Sequence, residues 1–226
     1  MNYLRKKFET SPAYARVAPF VIFLILTTGQ DMLGEDFRYW LYLAKTLVGA
    51  WLIWEMRRVV AELRWAFSWE AAVVGVGIFV LWVGLDPLVP KNHIFFKPSE
   101  GAWNPNEQFG AGSALAWTFV LVRILGSSIV VPPLEEVFYR SFLYRYFVRT
   151  DFQNLPLGHR HALSWVGTSL LFGLVHYEWL AGILCGLAYQ WLVLRKGRLG
   201  DAMTAHAITN FILGVYIVWK GAWGFW

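Results

Sequence analysis

Residues 114–148 read ALAWTFVLVRILGSSIVVPPLEEVFYRSFLYRYFV, and this stretch decides the fold. Its first part, Ala114–Val131, is an apolar run with a single charge, Arg123, near its centre. Pro132-Pro133 then interrupt, and a second helical stretch, Leu134–Val148, opens on Glu135-Glu136 and carries Arg140. A membrane-crossing helix needs about 20 mostly apolar residues. Comparable stretches lie on either side: Val17–Thr28 (extended back to Tyr14), Tyr39–Trp54 with Lys45 inside it, Ala71–Leu85, Ala162–Leu180, Ala181–Leu194 and Asp201–Trp219. The fold class expected is all-α, a polytopic transmembrane bundle of seven to eight helices forming one integral membrane domain over residues 1–226.

Composition supports this. Charged residues make up 15% of the 226, against about 25% in soluble domains. The hydrophobic share is 57%, and 14 Trp residues suit a protein with two membrane–water interfaces to line. A disordered chain is excluded and an ordinary soluble domain disfavoured. The lone Cys185 excludes an internal disulfide framework and a Cys-rich metal site. The net charge of +5 is spread along the chain, so it reads as membrane-topology charge and not as a nucleic-acid surface. Arg5, Lys6 and Lys7 resemble a signal n-region, but no small-x-small site follows Thr28, so the first span is expected to be retained. The longest polar connection, Asp86–Ser113, contains Pro87, Pro90, Pro98 and Pro105 and reads as a loop more than as a lid.

Lys and Arg mark the cytoplasmic side. With the N-terminus inside, seven crossings, and Leu134–Val148 not crossing, twelve basic residues lie inside: Arg5, Lys6, Lys7, Arg16, Arg57, Arg58, Arg64, Arg149, Arg160, Arg195, Lys196 and Arg198. Four lie outside: Arg38, Lys91, Lys97 and Lys220. If Leu134–Val148 crosses, the split is 8 against 8. The count favours seven crossings plus a partly inserted or interfacial helix, whereas Pro132-Pro133 suits two separate spans.

Ionisable residues inside apolar spans cost several kcal/mol, so each is a functional candidate. In Glu135-Glu136-Val-Phe-Tyr-Arg140, Glu136 and Arg140 share a helix face and can pair. Glu135 lies about 100° round the helix and is left free. Two adjacent carboxylates in a poorly solvated site cannot both ionise cheaply, so one paired and one free acid is a natural division. Phe172-Gly-Leu-Val-His176 ends an apolar span, and His206-Ala-Ile-Thr-Asn210 places a His and an Asn on one face of the last span. Helix rise puts His176 and His206 within roughly 7 Å of one depth, a gap that tilt and side-chain reach can close.

Around one central catalytic cavity, these groups suit hydrolysis. A carboxylate and an imidazole take a proton from water as it attacks a carbonyl. A second His and an Asn amide donate to the oxyanion. The same two His and one Glu can instead hold Zn²⁺ with an open position, although His-Glu-x-x-His is absent. No Ser sits in a Gly-x-Ser-x-Gly turn.

These three groups, in this order and setting, resemble the CAAX protease and bacteriocin-processing (CPBP, or ABI) family of intramembrane endopeptidases, over about residues 115–215. The resemblance implies an all-helical membrane core in which Glu135 and His176 activate water, His206 and Asn210 line the oxyanion site, and Glu136 and Arg140 support the geometry. It implies a membrane-associated peptide or protein substrate, in some members prenylated, no obligatory cofactor with zinc as the alternative, and a bacterial plasma membrane location. Size and character also resemble members accompanying exosortase-type sorting systems. Tyr139 stands where Phe is common, and Ser141 where Gly is common, which puts close backbone packing there in doubt.

The rival classes are a non-catalytic scaffold or immunity protein that keeps the motifs for packing, and a proton-coupled transporter. The absence of an inverted repeat weighs against the transporter. Among the remaining residues, Lys45 is expected to snorkel. Arg123 is expected to neutralise a catalytic carboxylate, bind a substrate carboxylate or form a structural ion pair. Glu178 is expected either to orient His176 or to face the interface. Gly182 and Gly186 read as a close-packing face, Cys185 as a small buried residue, and Trp219, Trp223 and Trp226 as interfacial anchors. His93, His159 and His161 fall in loops and are expected to have no catalytic role.

Overall fold

The computed structural model describes residues 3–30, 34, 37–93 and 102–226. Lys97 and Pro98 lie outside the described residues. Among these residues the chain is all-helical, with no strand: α1 Tyr3–Thr10, α2 Pro12–Gln30, α3 Arg38–Met56, α4 Trp69–Leu85, α5 Pro105–Phe109, α6 Ala114–Val148, α7 Ala162–Leu174, α8 Trp179–Lys196 and α9 Gly200–Lys220. By length and composition α2, α6 and α9 can cross a membrane, and α4 and α7 are shorter apolar helices.

Side-chain bonds sort the helix ends into two poles. At one pole Arg16 meets Glu62, Thr204 donates to Ala66 O, Lys196 meets Glu70 and Tyr144 donates to His159 O. At the other, Asn92 meets Leu174, Arg38 donates to Ala102 O and Trp103 packs on Trp226. Helices α2, α3, α4, α6, α7, α8 and α9 therefore run from pole to pole in alternation, making seven passes. Many large apolar side chains face outward, among them Trp51, Trp69, Val73, Leu121, Ile129, Leu163 and Phe211. An outer surface of this kind is stable against lipid and not against water.

The reading of residues 114–148 as two elements is corrected: Leu134–Val148 is the continuation of Ala114–Val131 within one 35-residue helix. Pro132 and Pro133 lack N–H groups, and their rings would strike the carbonyls four residues back. The chain absorbs both problems in a wider turn at Gly126–Val130, where Val131 N–H donates to Gly126 O, five residues earlier. A second wide turn, Val137–Leu143, closes with Tyr144 N–H donating to Tyr139 O. Such bulges keep a helix continuous while rotating its faces.

Three glycines bring helices together. A Cβ on Gly186 would lie 2.7 Å from Ser169 Cα, so α7 and α8 meet at backbone distance. A Cβ on Gly75 would lie 2.7 Å from Ala205 O, locking α4 along α9. Gly182 packs likewise against Gly173, as the small-residue spacing suggested.

Two charged residues lie among aromatic rings, and the first departs from its expected reading. Lys45 does not snorkel: it is buried, its Nζ donating to Thr27 Oγ1 and lying over the rings of Tyr42 and Phe23. Arg123 lies over the rings of Tyr42, Trp103 and Trp226, 4.4, 4.8 and 5.9 Å from their centroids.

Candidate active site

Helix α6 presents Glu135, Glu136 and Arg140 to the core, and α9 presents His206 against them. Glu136 and Arg140 form the expected i, i+4 pair, Oε2 to Nε 3.1 Å, with both side chains buried. Glu136 Oε1 lies 3.0 Å from His206 Nδ1. An ionised carboxylate only accepts, so Nδ1 carries the proton and donates. That turns His206 Nε2 toward Glu135, whose Oε2 is 4.0 Å away. One imidazole thus stands between two carboxylates. Glu136 is fully enclosed, whereas the Glu135 side chain keeps 16% of its surface open.

Around this cluster the aromatic rings leave little room. Tyr189 of α8 stacks on His206 at 5.2 Å and 24°. Its hydroxyl donates to Thr209 Oγ1, which donates to Gly75 O. The Phe172 ring touches three motif residues: Arg140 (guanidinium 4.4 Å from its centroid), His176 (4.7 Å) and His206 (6.1 Å). Glu135 is the partly open carboxylate among these rings. Tyr189 and Thr209 were not singled out in the sequence; the only signal was that Thr209 follows His206 by three residues on one helix.

His176 stands in the non-helical turn after α7, not inside an apolar span reaching Leu180. Its Nδ1 lies 2.6 Å from Phe172 O. A carbonyl only accepts, so Nδ1–H donates and Nε2 is left with a lone pair. This is the physical content of the Phe-x-x-x-His spacing: the helix's last carbonyls orient the ring. Among the described residues His176 joins the cluster through Phe172 and not through a hydrogen bond to Glu135. Glu178, nearby, pairs with Lys91 at 3.5 Å. Burial raises its carboxyl above the ordinary range, with the Lys91 charge opposing.

Asn210 donates through Nδ2 to Ser127 O at 2.8 Å, tying α9 to the wide turn before Pro132. Its second amide hydrogen is not used by that bond. Ser141, entirely buried, does not loosen the packing of α6: its hydroxyl joins Arg16 (3.0 Å), Arg145 (2.9 Å) and Glu62. His161 caps α7, its ring accepting from Ser164 N, and Cys185 is a small buried residue. Among the described residues no three His, Cys, Asp or Glu side chains are grouped as metal ligands. Each motif histidine spends Nδ1 on a protein acceptor.

Residues 115–212 match the family model described as "Rce1-like: Type II CAAX prenyl endopeptidase Rce1-like". No curated protein and no solved structure matches the chain. The matched segment starts one residue into α6, ends within α9 and contains all three motifs. Over residues 115–212 the chain is similar to that family of type II CAAX prenyl endopeptidases, the same segment that carries the three motifs.

Proposed function

We propose that the protein is an intramembrane endopeptidase that hydrolyses a peptide bond of a membrane-associated, prenylated protein or peptide with a Glu/His-activated water. The observation that carries this reading is His206 held between Glu136 and Glu135. Glu135, the more open carboxylate, takes the proton of the attacking water together with His176 Nε2 and returns it to the leaving amine. His206, its Nδ1–H anchored on Glu136, donates from Nε2 to the oxyanion when the ring is an imidazolium. The second Asn210 amide hydrogen completes the oxyanion site. The basic pole, holding Arg5, Lys6, Lys7, Arg57, Arg58 and Arg195, is assigned to the cytoplasmic face of a bacterial plasma membrane.

The test is cleavage by the purified protein in liposomes, on a panel of farnesylated and membrane-tethered C-terminal peptides. Wild type is compared with Glu135→Gln and His176→Ala, each with and without a strong chelator. Loss in both variants with activity kept under chelator is expected. Activity abolished by chelator and restored by Zn²⁺ replaces the water mechanism with a metal site. Full cellular function of Glu135→Gln overturns the protease reading in favour of a scaffold.

A further inference from the structure

His176 is carried by four residues, 175–178, that belong to no helix. A catalytic imidazole needs a fixed position, because a displacement of about 1 Å costs roughly 10²-fold in rate. Within the turn, His176 N–H donates to Gly173 O and the ring donates to Phe172 O. Both bonds are local and move with the turn. The restraint from outside comes from the segment after α4.

Asn92 spans the turn. Its backbone N–H donates to Tyr177 O at 2.9 Å, and its Nδ2 donates to Leu174 O at 2.8 Å. These are carbonyls one residue after and two residues before His176. Leu174 O is among the last carbonyls of α7, a position whose acceptors need partners from beyond the helix. Asn92 is 6% exposed, so its side chain is shielded from solvent. The flanking residues grip the same turn. Trp179 Nε1 donates to Pro90 O at 3.0 Å, Lys91 pairs with Glu178, and Trp82 sets its ring edge against His176 at 5.8 Å.

We propose that Asn92 is a positioning residue of the hydrolytic centre, bridging Leu174 O and Tyr177 O so that the turn holds His176 Nε2 toward the reaction. The inference rests on the function proposed above. It makes the segment 86–93 part of the active site, although it lies outside residues 115–212 and carries none of the three motifs.

The test compares Asn92→Asp with Asn92→Ala in the liposome assay. Asn92→Asp keeps the size but sets an acceptor against the Leu174 carbonyl, so it should harm more than Ala. For a side chain that only fills space the order reverses. The expected result for Asn92→Asp is a fall in kcat of about ten-fold or more with KM within about two-fold. In a His176→Ala background the same substitution should add nothing to the loss. Amide hydrogen exchange, read without substrate, should quicken at residues 173–178 and stay unchanged in α6 and α9. Unchanged exchange at the turn, an unchanged kcat, or an equal fall in the His176→Ala background overturns the proposal. If wild type cleaves no peptide while Asn92→Asp still loosens the turn, the protease reading fails and the bridge itself stands.

Discussion

Helix α6 takes part in two buried acidic clusters that treat their carboxylates in opposite ways. At Ser141 and Arg145, Glu62 is well bonded through one oxygen: its Oε1 accepts from Arg16 Nε and Nη2 (2.9 and 2.8 Å), Arg145 Nη2 (2.9 Å) and the Ser141 hydroxyl. Six residues earlier, Glu135 Oε2 and Glu136 Oε2 are enclosed without a hydrogen bond, and so are the three nitrogens of Arg140. A buried polar group left unsatisfied costs about 1–3 kcal/mol, more when charged. The Glu62 cluster spends its charged donors on one carboxylate oxygen and holds α2, the 57–68 connection and α6 together. The Glu135 cluster keeps capacity in reserve, which a reacting water and an oxyanion can take up. Charge and burial are shared by both clusters; satisfaction separates the brace from the site.

This contrast can be broken by substitution. Glu135→Gln should have the largest effect: about 10²–10⁴-fold less cleavage, with Tm moving no more than about 2–4 °C, equivalent to ~1 kcal/mol. Arg145→Ala should do the reverse, destabilising by about 3–5 kcal/mol through the loss of its charged hydrogen bonds to Glu62 and to the Leu155 carbonyl. The folded fraction should retain its kcat. Activity lost at unchanged Tm in that variant would erase the distinction between the clusters. Ser141→Gly should cost about 2–3 kcal/mol, from a lost hydrogen bond to charged partners and a helical glycine, again with kcat kept.

The smallest expected effect is on acid stability. Burial raises the Glu62 carboxyl, but the Arg16 charge and the bonds from Ser141 and Arg16 outweigh it and hold it below the ordinary value. A depressed carboxyl stabilises the fold above its unfolded value, and that contribution is lost as pH falls through the folded one. Unfolding scans from pH 6 downward should therefore show a loss in the acid range that Glu62→Gln lacks.

The seven passes were legible because lipid demands long apolar runs and basic residues sort by side, and both leave marks in composition. The join at Pro132-Pro133 was not, since five-residue turns have no hydrophobic period and proline normally argues for a break. The Glu136–Arg140 pair was legible from its i, i+4 spacing. The His206 contact with Glu136 was only a possibility of convergence, since it joins residues 70 apart. The Glu62 brace went unread because its members are 46 to 125 residues apart and each alone looks like ordinary interfacial charge. The three rings over Arg123 went unread for a related reason: they come from elsewhere in the chain. Asn92 sat in a connection read as a loop.

The length of α6 also bears on where the chemistry meets its second reactant. At 1.5 Å per residue its 35 residues extend about 52 Å, against a hydrocarbon core of about 30 Å. Glu135, 21 residues beyond Ala114, lies about 32 Å along it. A helix entering at the pole of α5 has therefore crossed the acyl region by the time it reaches the carboxylate. With Ala114 set at one acyl edge, the Glu135 side chain falls near the other, toward the basic pole, where on the function proposed above the attacking water would enter. Bilayer thickness then becomes a control on the reaction: lipids with longer acyl chains would draw the carboxylate below the boundary and starve it of the molecule it has to activate.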